Sequence, residues 1–318
     1  MASPEITLTH LDEPLFDGAD ATKRDLVDYL EAVADRIVPV LSGRPLSVIR
    51  VRAGQRPFMQ KNLPDYAPPW IKSVSMWAES SHREVRYALC EDKPTLIWFA
   101  NQRAVEYHVT LGTAEHLDRP SYLVLDIDPA AAGEFGKAVA AAKLVREALS
   151  GAGLAGAVKT SGAKGVHIYV PVQESVSADD AAAATRALAE RAARLDPGLA
   201  TTAFIKADRG GMVFIDSTRA HGATGVAAYS PRARAGVPVS FPVAWDSLDE
   251  VSPADFTVRN AARLLADADP WAAALPSPQA LPADLVAEGH TIPIARVQAM
   301  HEGKRRARAR RGPPHTAT

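Results

Sequence analysis

Three carboxylates carry the first chemical signal in this chain. In "YLVLDIDP", residues 122 to 129, an apolar run contains Asp126 and Asp128. Side chains alternate across a strand, so residues two apart share a face. Leu123, Leu125 and Ile127 fill one face, and Tyr122, Val124, Asp126 and Asp128 share the other. Two carboxylates about 4 Å apart repel by roughly 4 kcal/mol at an effective dielectric near 20. A shared proton, a basic partner or a metal ion must offset that cost. A turn at Asp-Pro accounts for Asp128 but poorly for Asp126. "GGMVFIDSTR" repeats the pattern, with Val213 and Ile215 on one face and Met212, Phe214 and Asp216 on the other. If the two strands lie side by side, the three carboxylates converge. Mg²⁺ or Mn²⁺ suits such a set of oxygen donors. Arg209, Arg219, Arg232 and Arg234 surround this strand in sequence, and the arginine fork binds two phosphate oxygens at once. Together these residue types point to two-metal phosphoryl transfer on a triphosphate.

The segment "KTSGAKGVHIYV" adds a second candidate. Gly162 and Gly165 would let backbone N–H groups approach a ligand closely. Ser161 and Lys164 supply further donors, and His167 shares a strand face with Tyr169. Such a turn suits a phosphate. A plain hairpin with a surface lysine and a core histidine accounts for the same residues. Two other patterns are rejected on context. Gly151, Gly153 and Gly156 spell a dinucleotide fingerprint, but they follow a helix and open a strand, the reverse of what that site needs. Ser161 and Lys164 spell S-x-x-K without the partner motifs that chemistry requires.

The elements that must position these groups form a series. "GEFGKAVAAAKLVREALSG" reads as a helix, "LAGAVKT" and "GVHIYVPV" as strands, "SADDAAAATRALAERAARL" as a second helix and "GMVFID" as a further strand. With "YLVLDIDP" in front, the order is β-α-β-β-α-β, the split βαβ of ferredoxin-like and RRM-like folds. Upstream, "ATKRDLVDYLEAVADRIVPVLSG" reads as one long helix with a Thr22/Asp25 capping box, and "RPLSVIRVR" as a strand. Residues 54 to 70 are rich in proline and aromatics and read as a loop. "DPWAAALPSPQALPADL" reads as a boundary, and "HEGKRRARARRGPPHTAT" as a basic tail, for nucleic-acid attraction or merely solvated. The expected organisation is one unit over 1 to 281, with an N-terminal α/β module to about 120 and a catalytic core beyond it, then an extension over 282 to 318.

Composition bounds the rest. The 318 residues carry a net charge of −1 and are 47% hydrophobic, so any nucleic-acid surface must be local. The single cysteine, Cys90, excludes an intrachain disulfide and a cysteine-based zinc site. "MASPEITLTH" has no signal-peptide core, and no apolar run is long enough for a bilayer. A cytoplasmic, nucleoid-associated protein without a membrane partner is expected.

In order and spacing, "ATKRDLVDYLEAVADRIVPVLSGRPLSVIR", "RPFMQKNLPDYAPPWI", "AVEYHVT", "YLVLDIDP", "VKTSGAKGVHIYVPV", "MVFIDSTR", "AAYSPRARAGVPVSFPVAWDSL" and "DPWAAAL" resemble the polymerase domain of bacterial DNA ligase D, in the archaeo-eukaryotic primase superfamily. The resemblance spans roughly residues 5 to 275, and no ligase or nuclease segment accompanies it. It implies an α/β, primase-like fold and a template-dependent nucleotidyltransferase that fills gaps and ends in non-homologous end joining, often with ribonucleotides. It implies two Mn²⁺ or Mg²⁺ ions on Asp126, Asp128 and Asp216. It places Ser161, Lys164, Gly165 and His167 in a nucleotide-phosphate motif, and His108, Arg209, Arg219 and Arg232 around the nucleotide. Lys23, Phe58 and Lys61 would face template DNA and its 5′-phosphate. Implied partners are gapped, nicked or broken DNA ends, ribo- and deoxyribonucleoside triphosphates, Ku and a separate ligase. Met59 stands where the family has a second aromatic, and "STRAHGATG" is shorter than the family pattern by about one residue. The rival readings are a primase that starts chains without a primer, and a non-catalytic module that bridges DNA ends.

Overall fold

The computed structural model describes residues 4–52, 54–78, 82–220, 224–294 and 300. The basic tail over 301–318 lies outside them. Thr22 accepts from the Asp25 N–H, and Asp25 accepts from the Thr22 N–H, so the capping box forms as read. The long helix expected after it is two helices, α1 (Lys23–Ala32) and α2 (Ala34–Leu41), broken at Val33. There ψ is 8°, outside the helical range. The break lets Leu26 and Leu30 on α1 and Ile37 and Leu41 on α2 all reach the core.

Next come β1 (Pro45–Arg52), β2 (Gln55–Gln60), β3 (Ser73–Ala78), β4 (Arg83–Leu89), α3 (Lys93–Asn101) and β5 (Ala104–Thr110). β2 falls inside the stretch read as a loop. Its residues are exposed along almost their whole length, so it lacks the apolar alternation that marks a half-buried strand. Pairing with β1 makes it a strand, with Phe58 opposite Arg50 and Met59 opposite Ile49.

The segment that bears the three aspartates follows as β6 (Tyr122–Asp128), α4 (Phe135–Gly151), β7 (Ala157–Thr160), β8 (Val166–Pro171), α5 (Ala178–Leu195), β9 (Ala200–Thr201) and β10 (Val213–Asp216). Last are β11 (Thr224–Val226), β12 (Pro242–Val243), α6 (Ala261–Leu265), α7 (Pro270–Ala274) and α8 (Ala283–Thr291). One sheet has the order β11-β5-β1-β4-β3, with β2 added to β1. The other runs β12-β7-β8-β6-β10-β9. The second contains the split βαβ as read: β6 and β10, distant in sequence, are antiparallel neighbours. β11 carries the chain back to pair with β5, so residues after the core complete the first sheet.

Small residues govern how the helices stack. The buried side of α5 is largely alanine, including Ala181, Ala184, Ala187 and Ala192, which lets α8 come close. Glu288 on α8 pairs with Arg191 at 2.6 Å and Arg194 at 2.8 Å. Gln279, in the Pro- and Ala-rich stretch, hydrogen-bonds the carbonyls of Ala155 and Pro171.

A Cβ added at Gly289 would sit 1.9 Å from the Ala183 carbonyl oxygen. Gly289→Ala must therefore push α8 off α5. We expect a stability loss of about 1–3 kcal/mol in urea unfolding, the scale of an overpacked contact, with faster amide exchange across 283–291. An unchanged urea midpoint would contradict this packing.

Candidate active site

Four polar side chains stand in one line across the second sheet. Lys159 on β7 is opposite His167 on β8, which is opposite Asp126 on β6, which is opposite Asp216 on β10. Directly paired residues share a face, so the register alone sets these groups side by side. Asp128 lies on the same face, opposite Phe214. The convergence expected from the alternating pattern is present.

Basic side chains answer the repulsion. Arg219 Nη2 is 2.7 Å from Asp126 Oδ2 and 3.4 Å from Asp216 Oδ2, bridging the two carboxylates. Lys164 Nζ is 3.6 Å from Asp128 Oδ1 and donates to the Pro129 carbonyl at 2.6 Å. Asp216 Oδ1 accepts from the Thr218 backbone and hydroxyl. Burial alone would raise the Asp126 carboxyl, but His167 and Arg219 overcome it and hold it below the usual carboxylate range. Burial and the Lys159 ammonium push His167 down to about 4, so at neutral pH the charge partner of Asp126 is Arg219. Asp128 moves the other way: burial and the Asp126 charge raise it against the pull of Lys164. The Asp126 and Asp216 charges add to the effect of burial there. These hard oxygen donors, gathered on one face, fit Mg²⁺ or Mn²⁺. Among the described residues no three His, Cys, Asp or Glu side chains already surround one point. An ion between Asp126 and Asp216 would contend with the Arg219 guanidinium for the same oxygens.

The first sheet supplies the opposite wall. His108 and Glu106 alternate along β5 and project from one face, with Nε2 of His108 2.9 Å from Glu106 Oε2. The same carboxylate oxygen lies 3.0 Å from Arg232 Nε, and Glu106 Oε1 accepts from the Ala233 N–H. Burial would raise the Glu106 carboxyl, but the His108 hydrogen bond and the Arg232 charge bring it down to about 2. Arg232 also donates to the Ser161 carbonyl. A cavity of about 100 Å³ opens between the walls, lined by His108, Asp126, His167, Arg219, Thr224 and Arg232 among others. The cavity thus collects one metal-ligand candidate and four of the residues expected around a nucleotide.

The remaining expectations meet the structure unevenly. Ser161 accepts from the N–H groups of Ala163 and Gly165, so the Gly165 amide is already engaged. A Cβ at Gly165 would fall 2.1 Å from the Ile127 carbonyl oxygen, and one at Gly162 would fall 2.7 Å from Arg232 Cγ. Both glycines therefore allow a close approach of the chain to itself. Arg209 is anchored to the carbonyls of Ala203 and Phe204 and stacks 3.7 Å above the Phe214 ring. Phe58 is 36% exposed and flanked by Arg50 and Arg52, and Lys61 is exposed beside it. Lys23, expected to face DNA, is only 2% exposed. Its ammonium donates to the Thr9 carbonyl at 2.6 Å and to Asn101 at 2.7 Å, because the N-terminal segment crosses over the start of α1. In this conformation it offers no phosphate contact.

Sequence reasoning missed Glu106 and Lys159. "VEYHV" carries the signal for the first, since residues 106 and 108 share a strand face. Lys159 gives none, because a lysine at a strand end reads as solvated.

The Glu106 ion pair predicts a pH signature. A carboxyl lowered from 4.5 to about 2 in the fold stabilises it by roughly 3 kcal/mol at neutral pH. That contribution is complete above pH 4.5 and is lost as pH falls toward 2. Glu106→Gln should be less stable than the parent at pH 7, and the difference should shrink steadily below pH 4.5. Urea titrations across that range test it; a constant difference would overturn the pairing.

Comparison with known proteins agrees with this geometry. A family profile described as "LigD, primase-polymerase domain" matches residues 22–271. The chain is 34% identical over 260 residues to the bifunctional non-homologous end joining protein LigD of Bacillus subtilis, covering 80% of this chain and 41% of that protein. It is 33% identical over 258 residues to the multifunctional non-homologous end joining DNA repair protein LigD of Mycobacterium tuberculosis, covering 77% and 34%. The chain thus spans less than half the length of these curated relatives. Among solved structures, the polymerase domain of Mycobacterium tuberculosis ligase D in complex with DNA matches with a TM-score of 0.76 and 30% identity, over 86% of this chain and 99% of that one. The two-sheet α/β fold is accordingly the archaeo-eukaryotic primase-like fold expected from the split βαβ. With the profile covering most of its length and the same fold around the carboxylates, this chain belongs to the LigD primase-polymerase domain family.

Proposed function

We propose that this chain is a DNA-directed nucleotidyltransferase that fills gaps or extends ends during double-strand break repair by non-homologous end joining. The observation that carries the reading is the register of β6 against β10, which sets Asp126 beside Asp216 with Asp128 on the same face in a member of a polymerase family. The relatives named for end joining support the process, and the relative solved with DNA supports the substrate.

In this reading Asp126, Asp128 and Asp216 hold two divalent ions, Mg²⁺ or Mn²⁺. Such ions lower the pKa of a primer 3′-hydroxyl and neutralise triphosphate charge. The chain's own groups do the rest. Arg232, fixed by Glu106, and Lys164 present cations toward the phosphates. His108, held by the same Glu106, lies across the cavity from Asp126 and faces the sugar. His167, neutral at pH 7, presents an N–H donor without adding charge. Arg219, which bridges Asp126 and Asp216 here, would be available to the phosphates if divalent ions took over those carboxylates.

Exposed Phe58 and Lys61 are assigned to the template strand and its 5′-phosphate. Lys23 could join them only after Thr9 and Asn101 release its ammonium. Ribonucleotides, Ku and a separate ligase enter this proposal through likeness to the family. Among the described residues no helix is long and apolar enough to cross a membrane.

Two outcomes test the reading. Asp126→Ala and Asp216→Ala should each lower primer extension on a gapped duplex by at least about a thousandfold, while gel shifts show DNA binding retained. Full extension by either variant would refute the metal assignment, and no extension by the parent would favour the end-bridging alternative. De novo synthesis on unprimed template would favour a primase. Phe58→Ala should weaken template binding by about 1–3 kcal/mol, the scale of one base stacked on an aromatic ring, and leave the metal-binding affinity unchanged. Phe58→Leu, which keeps apolar bulk but loses the ring, should weaken binding nearly as much as Phe58→Ala, and template affinity equal to the parent's in either variant would remove stacking from the account.

A further inference from the structure

Lys159 is fully buried, 0% exposed, and no carboxylate forms an ion pair with it in the described structure. Leaving an amine in such a place is costly, and burial together with the Arg232 charge pushes its pKa well below the ordinary lysine value. Its surroundings define what it does. Nζ is 2.5 Å from Ser240 Oγ and 2.8 Å from His167 Nδ1, and it lies 5.4 Å from the centre of the Tyr169 ring. The Ser240 hydroxyl donates to the Thr160 carbonyl at 2.9 Å. A hydroxyl has one proton to give, so Ser240 must accept from Lys159. That turns the amine toward the histidine. An ammonium has no lone pair and can only donate to Nδ1; a neutral amine could also accept, but Nε2 faces the Asp126 carboxylate, which only accepts, so the single ring proton belongs on Nε2 and Nδ1 receives the lysine N–H in either charge state. Nδ1 of His167 then accepts, and the ring proton of the neutral imidazole resides on Nε2. Nε2 lies 3.3 Å from Asp126 Oδ1 and borders the cavity shared with Arg232.

We propose that Lys159, itself oriented by Ser240, is a positioning residue that fixes the tautomer and ring orientation of His167, so that Nε2–H faces the nucleotide cavity. The role of that N–H on an incoming nucleotide rests on the polymerase reading; the tautomer does not. The arrangement matches the way outer partners orient ligating histidines elsewhere, where losing the partner costs about 10- to 100-fold in affinity or activity.

The test is Lys159→Met, which keeps the length and apolar stem and removes the donor. Long-range ¹H–¹⁵N spectra of histidine-labelled protein, without nucleotide or DNA, should show the parent's His167 as the Nε2–H form and the variant as a mixture containing Nδ1–H. The KM for the incoming nucleotide should rise about tenfold, while the KM for DNA stays unchanged. Thermal stability should hold or increase, because a buried amine has been replaced by a thioether. Lys159→Gln, which retains N–H donors, should return His167 toward the parent tautomer. If Lys159→Met does not fold, Ser240→Ala carries the same test, since Lys159 then loses the acceptor that aims it and the tautomer should again mix. A pure Nε2–H form in the variants overturns the proposal, as does a loss of stability without change in tautomer or nucleotide KM, which would mark Lys159 as structural only. A parent with the expected tautomer but no nucleotide addition would instead defeat the polymerase reading.

Discussion

Holding Asp126, Asp128 and Asp216 on one face of one sheet is the constraint to which the rest of the cleft responds. Hydrogen bonding between β6 and β10 fixes Asp126 opposite Asp216, and the pleat brings Asp128 to the same side. The charges are concentrated before any ligand arrives. Arg219 bridges two of them, Lys164 serves the third, and His167 adds a neutral donor. Each compensator comes from a different place: the segment after β10, the β7–β8 turn, and β8. The site is therefore an electrostatic balance struck by tertiary structure, and burial and the Asp126 charge together raise the Asp128 carboxyl within it.

A second balance sits on the facing wall and has the opposite sign. Glu106 is one buried carboxylate serving His108 and Arg232. It holds both side chains in place beside the cavity, His108 through Nε2 and Arg232 through Nε. Arg232 also ties the walls together, since it reaches the Ser161 carbonyl in the β7–β8 turn. Glycines 162 and 165 let that turn lie against Arg232 and β6 without a Cβ in the way. The turn is thus a packed joint between the two walls as well as a source of donors.

The periphery is built differently. Exposed Phe58, Met59 and Lys61 lie along or just beyond an edge strand that has little burial to hold it. Strand pairing to β1 and the arginines beside Phe58 supply its order. Exposed aromatic and basic groups suit a surface that meets nucleic acid, whereas Lys23 has been drawn inside by the N-terminal segment. The far side of the sheet that bears the aspartates is covered by α4 and α5, and α8 packs on α5, where small residues allow a close approach that ion pairs then fasten.

The sequence by itself determined what short-range periodicity encodes. Alternation along "YLVLDIDP" and "GMVFID" assigned Asp126, Asp128 and Asp216 to one face each. The order of helices and strands between them determined the split βαβ that makes those faces adjacent. The Thr22 cap was legible because it is a contact across three residues. The break at Val33 was not, because the apolar spacing runs through it. β2 was hidden because an exposed edge strand has no buried face to leave a pattern. Partnerships made across long separations were decided only in three dimensions: Arg219 with Asp126, Glu106 with Arg232, Lys23 with Thr9, and Lys159 with His167 and Ser240. A charged side chain reads the same in sequence whether it meets water or an opposite charge, and burial alone distinguishes the two.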